Sequence, residues 1–348
     1  MRVSPVQIWV SAPPSPSSGN SRSRLWGRVC EGYLPAVSKP RPFRFGVQEH
    51  RAPNATAWKE KARQVESLGY ASLYLPDHFT DQMGPIAALM AAADATTRLR
   101  VGSLVFDNDY RHPVVLAKEA ATIDVLSEGR FDLGLGAGWM VSDYEQAGIP
   151  FDSPGIRIAR MEEGLRIIKG LFAGEPFSFA GEHYQVANIE GSPRPVQKPH
   201  PPILLGGGGR RMLRLAAREA DIVNVNFDLR EGQVNRDLVR TGLAEATDQK
   251  IEWIKDAAGE RLEQIELSVT IFLANITDDR ESVASMMAAG IGAESKDILA
   301  MPHFLIGTVD EVVDDLQARR ERYGISYVIV PGEADESFAP VVTKLAGT

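Results

Sequence analysis

Between Phe43 and Gly136 the sequence sets out four short apolar runs of strand character, separated by three longer stretches of helical character. The strand-like runs are Phe43–Gln48, Ala71–Pro76, Leu99–Phe106 and Arg130–Gly136. Between the first two, Asn54 is placed to cap a helix in which Trp58, Ala62, Val65 and Leu68 share one face, and Gly69 ends it. An Ala-rich helix near Pro85–Thr97 and another from Pro113 to Leu126, stopped near Gly129, fill the next two intervals. This alternation specifies parallel βαβ units and excludes a sandwich.

The middle of the chain is less regular. Ile156–Phe172 reads as a helix, Phe177–Val186 as a hairpin turning at Ala180-Gly181, and Pro193–Pro202 as a proline-rich connection. The alternation resumes with Pro202–Leu205, a helix from Arg210 and a strand at Asp221–Asn226. A charged helical region over Gly232–Gly259, a strand at Leu267–Leu273, helices at Glu281–Ala289 and Val309–Tyr323 and a last strand at Ser326–Val330 bring the strands to eight. The expected fold class is α/β: a single (β/α)8 TIM barrel over residues 41–348, with an insertion after strand four.

Residues 1–40 differ in kind. Pro, Ser and Arg dominate, Glu31 is the only acidic residue, and Val6–Val10 is too short for a secretory apolar core. They read as a disordered extension or a start site placed too far upstream. The whole chain of 348 residues has a net charge of −8, which argues against a nucleic-acid partner, and no apolar run is long enough to span a bilayer. Cys30 is the only cysteine, so a disulfide within the chain and a cysteine zinc site are both excluded; a cytoplasmic location fits. His50, His183, His200 and His303 lack metal-ligand spacing, and no metal is expected.

In a barrel of this kind the carboxyl ends of the strands carry the chemistry. Asp77 and His78 follow Ala71–Pro76 at once, and a carboxylate beside an imidazole suits general acid/base work near neutral pH. The tip of the third strand carries a dense polar loop, Asp107, Asn108, Asp109, Tyr110, Arg111 and His112. Four glycines, Gly206, Gly207, Gly208 and Gly209, lie between a strand and a helix and are followed by Arg210 and Arg211; they read as an anion site built from backbone N–H groups. Gly134-Leu-Gly-Ala-Gly138 fails the dinucleotide fingerprint by spacing. Two explanations stand for it: a flat ligand approaching the strand end beside Trp139 and Ser142, or close packing against neighbouring strands.

Taken together these stretches resemble the luciferase-like monooxygenase superfamily, in its coenzyme F420-dependent branch. The resemblance runs from about Phe43 to the C-terminus. It rests on Pro76-Asp77-His78-Phe79, Tyr110-Arg111-His112-Pro113, Ala121-Thr122-Ile123-Asp124, Leu126-Ser127-Glu128-Gly129-Arg130, Gly134–Trp139, Ile203–Gly209 with Ala220-Asp221, and Ile306-Gly307-Thr308. It implies that the cofactor ring lies across the barrel mouth, with His78 as acid or base at the reacting carbon and Asp77 bonded to the cofactor. It also implies that Asp107 contributes to the cofactor site, that Gly206–Gly209 hold the tail phosphate, and that Ser142 contacts the tail. A non-proline cis peptide at Leu104–Val105 behind the ring and a homodimer are implied as well. Members that oxidise a sugar phosphate carry an acidic residue after the Gly-x-Gly pattern of strand four. Trp139 stands there, so an apolar pocket of Trp139, Phe79 and Tyr110 is expected instead. The implied function is hydride transfer between F420 and a small organic substrate. An FMN-dependent monooxygenase and a non-catalytic flavin-binding protein are the alternatives.

Overall fold

A computed structural model describes residues 40–233 and 236–348, so the expectation for residues 1–39 lies outside the described residues. In chain order the first half comprises β1 (Arg44–Gln48), α1 (Ala55–Ser67), β2 (Ser72–Leu75), α2 (Pro85–Ala95), β3 (Arg100–Ser103), β4 (Phe106–Asp107), α3 (Pro113–Leu126) and β5 (Phe131–Gly136). Then come α4 (Val141–Ala147), α5 (Pro154–Ala173), the antiparallel hairpin β6 (Phe177–Ala180) and β7 (Gln185–Ile189), β8 (Ile203–Gly207), α6 (Arg210–Glu219) and β9 (Ile222–Val225). The remainder is α7 (Arg236–Arg240), α8 (Ala244–Ala258), β10 (Glu266–Thr270), β11 (Leu273–Ile276), α9 (Arg280–Ile291), α10 (Ser295–Ala300), β12 (Phe304–Gly307), α11 (Val309–Tyr323), β13 (Ile325–Pro331) and α12 (Asp335–Leu345).

Eight parallel strands run in the order β3-β2-β1-β13-β10-β9-β8-β5, and pairing of β5 with β3 closes them into a barrel. Local chemistry explains the alternation. Asn54 accepts from the N–H of Ala57 at 2.9 Å and so starts α1, while Trp58, Ala62 and Val65 bury its apolar face. β2 is buried at every position, as a strand covered on both faces must be. Side chains alternate between two compartments. Leu73 and Leu75 of β2 pack outward against the helices, whereas Tyr74 points into the barrel with Leu204, Ile222, Tyr327 and Ile329. Each fully buried Leu or Ile contributes about 1.5–3 kcal/mol, so the helix-facing layer carries most of the stability.

The eight strands expected from the sequence are the eight barrel strands, and the hairpin lies in the insertion after β5. Three details differ. The third strand is split into β3 and β4, and the Leu104–Val105 peptide between them is cis, at the expected bond. The charged region over 232–259 is two helices, α7 and α8, because Thr241 and Gly242 close turns onto Leu238 and Val239. A parallel pair, β11 with β12, lies outside the barrel and covers a second apolar cluster with Phe227, Ile298 and Met301. No helix among the described residues is long and apolar enough to cross a membrane.

Candidate active site

At the tip of β2, Pro76 breaks the strand and presents Asp77 and His78 at the carboxyl end of the barrel. Asp77 is 6% exposed and holds protein donors on both oxygens: Arg111 binds it through two nitrogens, at 2.5 and 3.1 Å, and the N–H of Asp107 at 3.1 Å. A carboxylate engaged in this way locks the tip of β2 to β4 and the following turn. Its role toward a cofactor, implied by the resemblance, is thus joined by a structural one.

His78 Nδ1 lies 2.7 Å from Oδ2 of Asp143, and Asp143 is only 2% exposed. The same oxygen accepts from the Tyr110 hydroxyl at 3.3 Å. A carboxylate only accepts, so the hydrogen sits on Nδ1, and Nε2 is the ring's proton-accepting atom. The Trp139 ring meets His78 edge-on at 5.7 Å, and Phe79 packs on Tyr110 at 4.5 Å. His78, Phe79, Tyr110 and Trp139 are therefore brought together at this strand tip. Asp143 was missed. Its only sequence signal was an acidic residue directly after Ser142, and its pairing with a side chain 65 positions earlier belongs to the tertiary fold. Ser142 itself is exposed on the first turn of α4.

Behind this pair lies a second polar layer. The buried Tyr144 hydroxyl touches Asp107 at 3.2 and 3.1 Å and Asp109 at 3.0 Å, and Arg160 pairs with Asp109 at 3.0 Å and with Asp152. Burial pushes the Asp107 carboxyl up to about 7, with Asp109 and Asp77 adding to the effect against bonds from the Asp109 N–H and Tyr144. Burial and the nearby Asp107 and Asp143 likewise raise Tyr110, which stays a neutral hydroxyl. Neither Tyr144 nor Arg160 was singled out in the sequence.

The glycines divide by what fills the space of the missing Cβ. In β5 that space is taken by the chain itself. A Cβ on Gly134 would meet the Ser103 carbonyl oxygen at 1.8 Å, one on Gly136 would meet Val105 Cγ2 at 2.5 Å, and one on Gly138 would meet the Tyr144 hydroxyl at 1.8 Å. Close packing, the second explanation for Gly134–Gly138, accounts for all three.

The four glycines Gly206–Gly209 do not act alike. Gly206 and Gly207 belong to β8 and pair with Asn224 and Val225, so the loop proper is shorter than four residues. A Cβ on Gly207 would meet Met212, and one on Gly208 would lie 2.3 Å from the Phe227 backbone. Gly209 is the N-cap of α6 and offers no side-chain acceptor to its first turn, which leaves N–H groups free for an anion. The Asp228 carboxylate faces Gly209 but is paired with Arg230. Gly206 alone opens toward the barrel interior: a Cβ there would meet Asn224 at 3.5 Å and nothing closer. Together with half-buried Leu104 and Val105, packed on the interior cluster, this makes a flat apolar mouth with an uncapped helix end beside it. A planar ring system with an anionic tail fits that geometry.

The family model for luciferase-like monooxygenases matches residues 40–327. An F420-dependent glucose-6-phosphate dehydrogenase of Amycolatopsis mediterranei is 25% identical over 296 residues, which cover 81% of this chain and 83% of that protein. An FMNH(2)-dependent dimethylsulfone monooxygenase of Pseudomonas putida is 33% identical over 168 residues, 48% of this chain and 45% of that protein. Among solved structures, the coenzyme F420-dependent tetrahydromethanopterin reductase of Methanopyrus kandleri superposes with a TM-score of 0.70. Its identity is 18%, with 88% of this chain and 98% of that chain covered, so the likeness extends to the barrel fold.

Proposed function

Because the chain belongs to the luciferase-like monooxygenase family, whose members include F420-dependent and FMN-dependent enzymes, we propose that it is an F420-dependent oxidoreductase acting on a small organic molecule. The observation that carries this reading is the His78–Asp143 pair in an aromatic wall at a strand tip. The deazaflavin, when bound, supplies the hydride chemistry. The protein binds, orients and handles the proton. Gly206, Leu104 and Val105 would receive the ring, and the N–H groups at Gly208 and Gly209 would meet the tail phosphate. Asp143 holds His78 in the tautomer whose Nε2 accepts a proton from a substrate hydroxyl, or returns one to a carbonyl in the reverse direction. Phe79, Tyr110 and Trp139 would line the place of that exchange.

Trp139 follows the Gly-x-Gly pattern where sugar-phosphate oxidisers are expected to carry an acid. The substrate is therefore proposed to be apolar or aromatic, despite the relation to a glucose-6-phosphate dehydrogenase. A second reading, an FMN-dependent monooxygenase, draws on the 33% identity to the dimethylsulfone enzyme. Titrating the purified protein with F420 and with FMN while recording absorbance and fluorescence separates the two. Saturable binding of F420 at least tenfold tighter than FMN is the expected result; the reverse order would replace it with the monooxygenase reading. Absence of turnover with either reduced cofactor across a broad set of alcohols, ketones and enones would leave a flavin-binding protein.

A further inference from the structure

Three carboxylates at this end of the barrel each face an arginine: Asp77 meets Arg111, and Asp109 and Asp152 meet Arg160. Asp143 has no such partner. Among the described residues its side chain meets two donors, His78 Nδ1 at 2.7 Å and the Tyr110 hydroxyl at 3.3 Å. Both come to the same oxygen, Oδ2. The charges around the pair are the Asp77–Arg111 bridge, on the residue before His78, and Asp107 and Asp109, bonded to Tyr144 and, for Asp109, to Arg160.

Tyr110 is held in place for this contact. It ends the short turn Asn108–Tyr110, which Asp107 caps by accepting from the Asp109 N–H at 2.9 Å. Its ring packs on Phe79 at 4.5 Å and on Tyr144 at 5.6 Å. Among the described residues the hydroxyl has no acceptor other than Asp143. Burial, with Asp107 and Asp143 adding to it, keeps that hydroxyl neutral, so it remains a donor while an imidazole titrates. A hydrogen bond to a carboxylate stabilises its negative charge, and an oxygen serving two donors holds each of them less strongly.

We propose that Tyr110 is a positioning residue for the proton step: by sharing Oδ2 of Asp143 it loosens the Asp143–His78 bond and limits how strongly Nε2 holds a proton. In the step itself the substrate hydroxyl gives its proton to Nε2, and the hydrogen on Nδ1 stays there. Asp143 remains a carboxylate and Tyr110 a phenol. A base that must return the same proton to a carbonyl in the reverse direction works best when it does not hold that proton too firmly. The inference rests on His78 as the proton-handling group and gives Tyr110 a part beyond lining the pocket.

The test is Tyr110→Phe, which removes the hydroxyl and keeps a ring between Phe79 and Tyr144. Its first readout needs neither cofactor nor substrate. It is the His78 Nδ1–H proton resonance of the full chain carrying isotopically labelled histidine, assigned by its loss in His78→Ala. In Tyr110→Phe this resonance is expected to move downfield as the bond to Asp143 tightens. A resonance that stays in place or moves upfield overturns the proposal. A ring-fluorinated tyrosine at position 110, a stronger donor, is expected to move it upfield and decides the matter should Tyr110→Phe not fold; no movement there overturns it too.

The second readout is turnover in the direction that takes a proton from the substrate. The acid limb of the kcat–pH profile is expected to lie at higher pH in Tyr110→Phe than in wild type, with KM little changed. A change in KM alone reduces Tyr110 to a pocket wall and overturns the proposal. In an Asp143→Ala background the same substitution is expected to leave the limb where it is. A displacement of equal size there would mean that Tyr110 does not act through Asp143. Should no turnover be found with either cofactor, the oxidoreductase reading fails, and the resonance alone decides whether Tyr110 and His78 compete for Asp143.

Discussion

The tips of β2 to β5 and the tips of β8 and β9 lie at the same end of one barrel and are built in opposite ways. The first group works with side chains held by other side chains: Asp77 by Arg111, His78 by Asp143, Asp107 by Tyr144. The second works by omission. Gly206 leaves the interior open, and Gly209 leaves the helix end uncapped. A proton has to be accepted at one atom in one orientation, which requires a positioned ring. An anion or a flat ring can be held by backbone amides and space, which requires side chains to be absent.

That contrast predicts separable effects. The largest is expected from His78→Ala, which should lower single-turnover hydride transfer by about 10²–10⁴-fold and leave cofactor affinity intact. A mutant that loses binding and rate together would break the division between the two regions. Asp143→Asn should cost on the order of tenfold in turnover, the share of an orienting group, with binding again unchanged. A rate equal to wild type would reduce the His78 contact to packing.

In the glycine region the expectation is reversed. Gly206→Val should weaken cofactor binding about tenfold in a fluorescence titration with little change in melting temperature, because Asn224 is its nearest neighbour at 3.5 Å. Gly208→Val should instead lower the melting temperature, since the Phe227 backbone already occupies that space. Equal melting temperatures for the two would contradict their different surroundings.

The smallest effect sharpens the first region. Burial raises the Asp107 carboxyl from 3.8 to about 7, so folding favours its neutral form. The stability this supplies is fully present below pH about 4 and is lost as pH rises through about 7. Wild type should therefore gain melting temperature relative to Asp107→Asn between pH 8 and pH 5. A difference that does not vary with pH would mean that Asp107 stays ionised throughout.

Much of the fold was legible because local pattern and global architecture agree here. The βαβ alternation located all eight barrel strands, and Asn54, Gly69 and Gly129 marked helix ends where the structure has them. The site was legible in part. Asp77, His78, Tyr110 and Trp139 stand at or beside strand tips, where residue type and position in the alternation suffice to single them out. Asp143, Tyr144 and Arg160 stand in helices with no distinguishing pattern, and their meaning depends on what folds against them.

By itself, then, the sequence determined the barrel and the residues that stand at its strand tips, because periodicity of 2 and 3.6 is a local property that burial reads directly. Tertiary structure alone decided that His78 pairs with Asp143, and that the space beside Gly134 and Gly136 is filled by the neighbouring strand while that beside Gly206 stays open. Each of these is a contact, or the lack of one, between segments tens of residues apart. Only closure of the barrel brings such segments within hydrogen-bonding distance.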